Sequence, residues 1–449
     1  MNPLMIHEPA RETPVSGEYD LCVLGGSCTG LFAAIRAARL GLSVAVVERM
    51  GSFGGVATIS RVNIWHSAMD TVFEKQIFAG LTVEVIERLK KRDAVTVKPN
   101  NPNSGWIFNS AEMQIELDEL MSENQIEPWL HTSFVAPHIV DNQLTAIIVE
   151  NKSGRSALKA RFFIDATGDG DLCERLGLDT YRSAHTQPST TCALFEGWGE
   201  LMQKVHFQKL IQEHGVEFNI PEGFIWTSQL PDSEIHMLAG TRVYDDCSNA
   251  LGFTKAEIEG RRQVRAIQDL LRKYAPDTPV KLLDLPARIG IRQTRHVRSH
   301  YQLTGEDVLY GRSFDDAIAN GSYRVDVHHD NKPGLTFRYL DGKEVYARPG
   351  HAHVNSRWRP EQSEDPTYYQ IPYRCLIPRG PFGNVLAAGR FIDADEQAHA
   401  AIRVMVNLNQ TGEAAGTAAW LALKNEQQAD QIDTSVLRGV LQENGSIML

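Results

Sequence analysis

The chain has 449 residues, 42% hydrophobic and 22% charged, with 35 Gly and 20 Pro. That length exceeds one ordinary core, and the composition excludes disordered, collagenous and coiled-coil chains. The net charge of −11 repels a phosphate backbone on average, which argues against a nucleic-acid partner.

Near the N-terminus, Glu8, Arg11 and Glu12 stand where a secretory signal needs an unbroken apolar core. No run of about 18 apolar residues follows, so a cytoplasmic protein without membrane attachment is expected. Six cysteines are scattered without a Cys-x-x-Cys pair or a Cys/His cluster at zinc spacing, and read as reduced thiols. Asp20–Leu24 is a short apolar run of the kind that makes a buried parallel strand. Gly25–Gly30 is a glycine turn. Leu31–Leu40 is rich in helix formers and stopped by Gly41, and Leu42–Glu48 is apolar and β-branched. Residues 20–48 therefore spell a βαβ unit.

Ser110–Met121 carries apolar residues at 113, 117, 120 and 121 behind a serine and an acidic first turn, which predicts an amphipathic helix. Trp129–Val135, Leu144–Glu150 and Ala157–Ile164 alternate with turn residues as a small antiparallel meander, and the last strand runs into Ala166–Asp171. Residues 181–365 mix helices at Leu201–His214 and Lys255–Tyr274 with polar segments. Asn384–Arg390 is again a strand ending in glycine, followed by an Ala-rich helix over Ala400–Leu423. The pattern predicts an α/β fold. Its main part is a Rossmann-like dinucleotide-binding domain at 18–180 and 366–425, a parallel sheet with helices and a small antiparallel meander. An α+β substrate or cap domain is inserted at 181–365, and 1–17 and 426–449 are surface tails.

A strand–glycine turn–helix presents free N–H groups and a positive dipole end to a pyrophosphate. Gly25 and Gly30 fill the first and third positions of G-x-G-x-x-G, while Ser27 holds the second. Glu48, at the end of the second strand, suits both hydroxyls of an adenosine ribose and would repel a 2′-phosphate, pointing to FAD or NAD. A lone glycine turn can also be a tight connection that binds nothing. The small residues closing strands at Ala166–Asp171 and Asn384–Arg390 favour an elongated ligand.

Asp20–Glu48, Gly51–Gly55, Phe163–Leu172 and Asn384–Asp393 together resemble the FAD-dependent oxidoreductases of the glutathione-reductase-like, two-dinucleotide-binding-domain superfamily. Ala401–Met405, Gly412–Thr417 and the stretch from Ile291 to Tyr323 resemble its largely uncharacterised bacterial branch, and the likeness covers most of residues 18–425. The resemblance implies FAD, with pyrophosphate at Gly25, Gly26, Ser27, Thr29 and Gly30 and ribose at Glu48 and Arg49. It puts Gly54 and Gly55 beside the flavin, Val135 beside the adenine, Gly168 and Asp169 at the cofactor's middle, and Gly389 and Asp393 at the ribityl and pyrophosphate region. The helix start at Arg403–Leu408, with Val404, Asn407 and Leu408, would face the flavin N1–C2 edge, where a helix N-terminus stabilises the charge of the reduced ring.

Candidates for the proton and substrate chemistry are His66, Arg292, Arg295, His328, His329, Tyr373, Glu396, His399 and Arg403. His399 and Arg403, four residues apart, share a face if their segment is helical. Histidine suits proton exchange near neutral pH and arginine a fixed anchor, so these two are the expected catalytic residues. His328 and His329, flanked by Asp326 and Asp330, read as cap surface, and no metal site is expected. The expected function is hydride transfer between a small organic substrate and flavin N5. A monooxygenase reduced by NAD(P)H and a non-catalytic dinucleotide-binding protein are the alternatives. The expected partner is a small-molecule substrate, and no signature of a particular electron acceptor or oligomeric state is present.

Overall fold

Strand β1 (Val15–Leu24) and strand β2 (Val44–Val47) lie parallel, with Leu21 to Leu24 opposite Val44 to Val47. These positions are apolar on both faces because both are buried, Leu21, Val23, Val44 and Val46 with the helices and Cys22, Leu24 and Val47 with Leu144, Ile147, Val149 and Leu172. The computed structural model describes residues 5–449. Between the two strands runs α1 (Cys28–Arg39). The sheet has seven strands: β3 (Glu127–Trp129) pairs parallel with β2, and β6 (Gly154–Asp165) pairs parallel with β1. The far edge of β6 is shared. Its first half pairs antiparallel with β5 (Gln143–Asn151), which pairs with β4 (Ser133–Val140), and its last residues pair parallel with β7 (Val385–Ala387). The expected meander is therefore β4–β5–β6, while Trp129, expected within it, belongs to the parallel edge strand β3.

Helices α2 (Leu81–Lys90) and α3 (Ser110–Glu123) contribute apolar residues to the same core. Inserted segments form a four-stranded antiparallel sheet over 192–284, backed by α4 (Ala250–Tyr274). A second four-stranded antiparallel sheet spans 325–357. Ala317–Gly321, expected in the inserted part, instead pairs with Tyr369–Pro372 and packs into the main core.

Two expected helices are broken. Trp198–Lys204 and Phe207–His214 separate at Val205, whose β-branched backbone is extended, and His206 caps the second piece. The Ala-rich helix divides into α5 (Glu396–Ile402) and α6 (Met405–Asn425), because Val404 turns extended at ψ 140°. The tails also differ from expectation. Residues 15–17 belong to β1, and α7 (Thr434–Glu443) buries Leu437 and Leu441 completely. Helix α6 crosses α1 at backbone contact distance: a Cβ on Gly412 would stand 2.1 Å from Thr29 O, and one on Gly416 2.1 Å from Ala33 O. Among the described residues, no helix is long and apolar enough to cross a membrane.

Candidate functional site

The turns that follow β1, β6 and β7 all lie at the carboxyl ends of parallel strands, where α/β sheets bind ligands. They open on a cavity of about 550 Å³ lined by Gly25, Ala166–Gly168 and Gly389. Gly25 has φ +102°, and a Cβ there would stand 2.3 Å from Ala166 O, so the turn admits only glycine. Gly30 sits against Gly25 O, where a Cβ would be 1.9 Å away. Ser27 is the N-cap of α1, its hydroxyl accepting from Gly30 N at 3.5 Å. Glu48 is buried at the second strand's end and accepts from Gly26 N and Met50 N, both at 2.8 Å, which holds the turn open toward the cavity. Gly54 and Gly55, both at positive φ, press against the turn through the Ser27–Gly54 bridge.

Of the expected cofactor residues, Gly25, Ser27, Thr29, Glu48, Gly54, Gly55, Gly168, Gly389, Val404 and Leu408 line this cavity. The remaining ones stand off it. Gly26 and Gly30 shape the turn from behind. Arg49 is exposed over the Phe253 ring at 5.6 Å. Val135 sits at an irregularity of β4 and gives its carbonyl to Arg175. Asn407 is buried and donates to Tyr369 Oη at 2.9 Å. Asp169 acts through others: it accepts from Thr294 Oγ1 at 2.8 Å and pairs with Arg288 and Arg390, two cavity arginines. Asp393, expected at the ribityl and pyrophosphate region, does not line the cavity. It is fully buried and accepts from Tyr181 Oη, Gln302 Nε2 and Ser299 N, a tie between segments with no face on the cavity.

The break at Val404 matters here. It leaves the first turn of α6 with no side-chain cap, while Arg403, Val404, Met405, Leu408 and Asn409 line the cavity. Glycine turns at positive φ, a buried carboxylate at the end of the second strand and an uncapped helix start, all lining one cavity, fit FAD.

His399, expected to be catalytic, does not line the cavity. It lies on the inner side of α5, about 1% exposed, with both ring nitrogens unpartnered and the ring edge-on to His296 at 4.8 Å. Burial and the His296 ring hold its pKa well below the usual histidine value. Arg295, His329, Tyr373 and Glu396 likewise stay off the cavity. His66, Arg292, His328 and Arg403 line it. His328 also corrects the cap-surface reading. Val325–His328 is a strand that alternates apolar and polar residues, so Asp326 and His328 share its cavity face. That period-two pattern was the signal available in the sequence.

Asp326 organises the wall. It accepts from Tyr323 Oη at 2.9 Å and from Arg403 Nη2 at 3.1 Å, and its other oxygen lies 3.4 Å from His328 Nε2. Burial alone would raise Asp326, but His328, Arg403 and Arg324 together hold it well below the usual carboxylate range. Burial pushes His328 down to about 4 against the pull of Asp326, and burial with Arg324 and Arg403 pushes His66 to about 3. The His66 ring lies against Tyr323 at 4.3 Å, tilted by 60°. Both imidazoles are neutral at pH 7.

A histidine held neutral in the fold but free to protonate when unfolded stabilises the protein fully above its unfolded pKa near 6.5. That contribution is lost as pH falls toward the folded value. The stability advantage of the wild type over His66→Gln should therefore narrow as pH is lowered from 7 to 5. Thermal denaturation across that range measures it, and a constant gap would place His66 in water.

A family model described as FAD dependent oxidoreductase matches residues 20–441. The mitochondrial dihydrolipoyl dehydrogenase of Schizosaccharomyces pombe is 29% identical over 164 residues, 34% of this chain and 29% of that protein. The dihydrolipoyl dehydrogenase of Trypanosoma brucei brucei is 28% identical over 169 residues, 34% and 31% of the two chains. This chain thus spans about a third of the length of the curated relatives it matches. Among solved structures, a geranylgeranyl bacteriochlorophyll reductase-like protein of Thermoplasma acidophilum aligns with a TM-score of 0.48 and 10% identity over 96% of this chain and 84% of its own. The p-nitrophenol 4-monooxygenase of Pseudomonas putida aligns with a TM-score of 0.45 and 10% identity over the same shares. With a family model matched over nearly its whole length, the chain belongs to the FAD dependent oxidoreductase family, and its cofactor is FAD.

Proposed function

We propose that the protein transfers a hydride between a C–H bond of a small organic substrate and flavin N5, in the glutathione-reductase-like branch of flavoenzymes. The observation that carries this reading is the Asp326–His328–Arg403 group on the wall that ends at the uncapped start of α6. Bound FAD would supply the two-electron acceptor. His328, whose ring lines the cavity, takes the proton that leaves the substrate heteroatom, and Asp326 faces its Nε2 and orients the ring. Arg403, fixed by Asp326, holds an electron-rich group of the substrate.

The test is an anaerobic screen of metabolites for bleaching of the flavin near 450 nm. Bleaching by a small organic substrate supports the reading. Rapid bleaching by NAD(P)H alone, with oxygen consumption only when an organic co-substrate is present, would replace it with a monooxygenase.

The cradle can be checked separately. Glu48→Ala should lose FAD on dilution and gel filtration far more readily than Glu361→Ala, because it removes the carboxylate that bonds Gly26 N and faces the ribose position. Ser27→Gly should keep FAD, since glycine at an N-cap costs only a few tenths of a kcal/mol. Equal retention of FAD by the two glutamate variants would move the ribose away from Glu48.

A further inference from the structure

The cavity wall carries more positive charge than its own acids balance. Six arginines line the cavity, and its only lining carboxylates, among the described residues, are Glu48 and Asp326. Arg288 and Arg390 face Asp169 near the glycine turns, and Arg403 faces Asp326. The other three make no salt bridge, and the Asp326 carboxylate that acts on Arg292 and Arg324 is already paired with Arg403. The guanidinium of Arg242, a residue 7% exposed, donates only to the carbonyls of Gly240 and Phe224. Arg292 makes a single hydrogen bond, to Pro188 O at 2.5 Å. Arg324 donates only to Asn103 Oδ1, leaves its buried Nε unpartnered, and lies over the Phe337 ring at 4.1 Å. A guanidinium offers five N–H donors, so Arg292 and Arg324 keep most of theirs free.

Burial lowers Arg292 and Arg242 to about 10 against the pull of Asp326, the mark of cations set in a poorly solvated place without a paired carboxylate. The histidines beside them cannot help, since both His66 and His328 are neutral. The nearby walls are apolar, with Phe224, Trp226, Leu335 and Phe337.

From this imbalance we infer that Arg292 and Arg324 form a carboxylate subsite, and that the substrate is an organic acid whose apolar body lies against Phe224, Trp226 and Phe337. The inference rests on the proposed hydride-transfer reading for what happens to that acid, but binding can be read without turnover. A planar carboxylate matches the fork of an arginine and brings the missing negative charge, while the apolar walls exclude a small, fully hydrated anion.

The experiment titrates the FAD-loaded protein at pH 7.5 with acetate, phenylacetate, their neutral amides and phenyl phosphate. The flavin difference spectrum and the thermal midpoint are the readouts. Phenylacetate should bind roughly 10-fold or more tightly than phenylacetamide and more tightly than acetate or phenyl phosphate. Arg292→Gln and Arg324→Gln should each weaken phenylacetate roughly 10-fold with FAD content unchanged, and Arg324→Lys should recover part of the loss. Equal binding of acids and amides, or acid binding untouched in both glutamine variants, overturns the subsite. Tighter binding of phenyl phosphate overturns the choice of carboxylate. Reduction of the flavin by neutral substrates with no acid selectivity would overturn the subsite and leave the hydride reading standing. Selective acid binding with no organic reductant would do the reverse.

Discussion

His328→Ala is expected to keep FAD bound and to slow flavin reduction by substrate roughly 10²-fold or more, the size of a general base removed from a hydride transfer. The geometry is that of a base with an orienting partner. Asp326 stands 3.4 Å from one ring nitrogen, the other nitrogen is unpartnered, and the ring lines the cavity. Because burial holds the imidazole near 4, it is already unprotonated at pH 7. The substrate-reduction rate in the wild type should therefore stay level from pH 8 down toward 5 and fall only below that, as His328 takes up a proton. His399→Gln gives the contrast, with a reduction rate within a few-fold of the wild type and a lower melting temperature, since that ring packs on His296 away from the cavity. The measurement is stopped-flow reduction at 450 nm in both variants. A slow His399→Gln beside a normal His328→Ala would return catalysis to α5.

The misplacement of His399 shows where sequence reasoning reaches its limit. The glycine turn, α1, Glu48 and the later glycine-ended strands were legible because each is local. Periodicity and turn chemistry specify them within a few residues, and the parallel sheet then brings their ends together. The break at Val404 was not legible: Ala400–Leu423 holds no proline, its glycines stand only at 412 and 416, and a single extended residue is set by packing, not by propensity. His399 and Arg403 do share a helical turn, Arg403 N donating to His399 O at 3.1 Å, but α5 packs His399 against His296 while Arg403, at the end of α5, reaches Asp326. The arginines that face the substrate side come from distant places. Arg242, Arg292 and Arg324 lie on segments that meet only when the inserted sheets close over the main one, a long-range fact that no local pattern carries. Asp326 and His328 were half-legible. Their alternation with Val325 and Val327 marked a two-faced strand, but not which face would meet the cavity.

The second large effect lies behind the cofactor cradle. Arg36 of α1 and Glu413 of α6 pair where the helices cross, 2% and 1% exposed. Glu413 Oε1 also accepts from Leu81 N at 3.0 Å, so one carboxylate ties α1, α6 and the start of α2 together. Both side chains are buried at the crossing, where Gly412 and Gly416 bring the two backbones into contact. Arg36→Met should therefore cost about 3–5 kcal/mol in denaturant unfolding, the penalty of a buried charge left without its partner. Because α1 presents the dinucleotide turn, the variant should also release FAD more readily. Arg36→Met/Glu413→Gln should recover much of the loss, since no net charge then remains buried and the glutamine carbonyl still accepts from Leu81 N. The pH dependence has a definite sign. Burial already raises Glu413 above the usual carboxylate value against the pull of Arg36. With Arg36 gone that rise grows, so proton uptake favours the folded state and the single variant should approach the wild type as pH is lowered from 8 to 6. A single variant as mild as the double one, at every pH, would show that the crossing admits water and that the pair is a surface contact in solution.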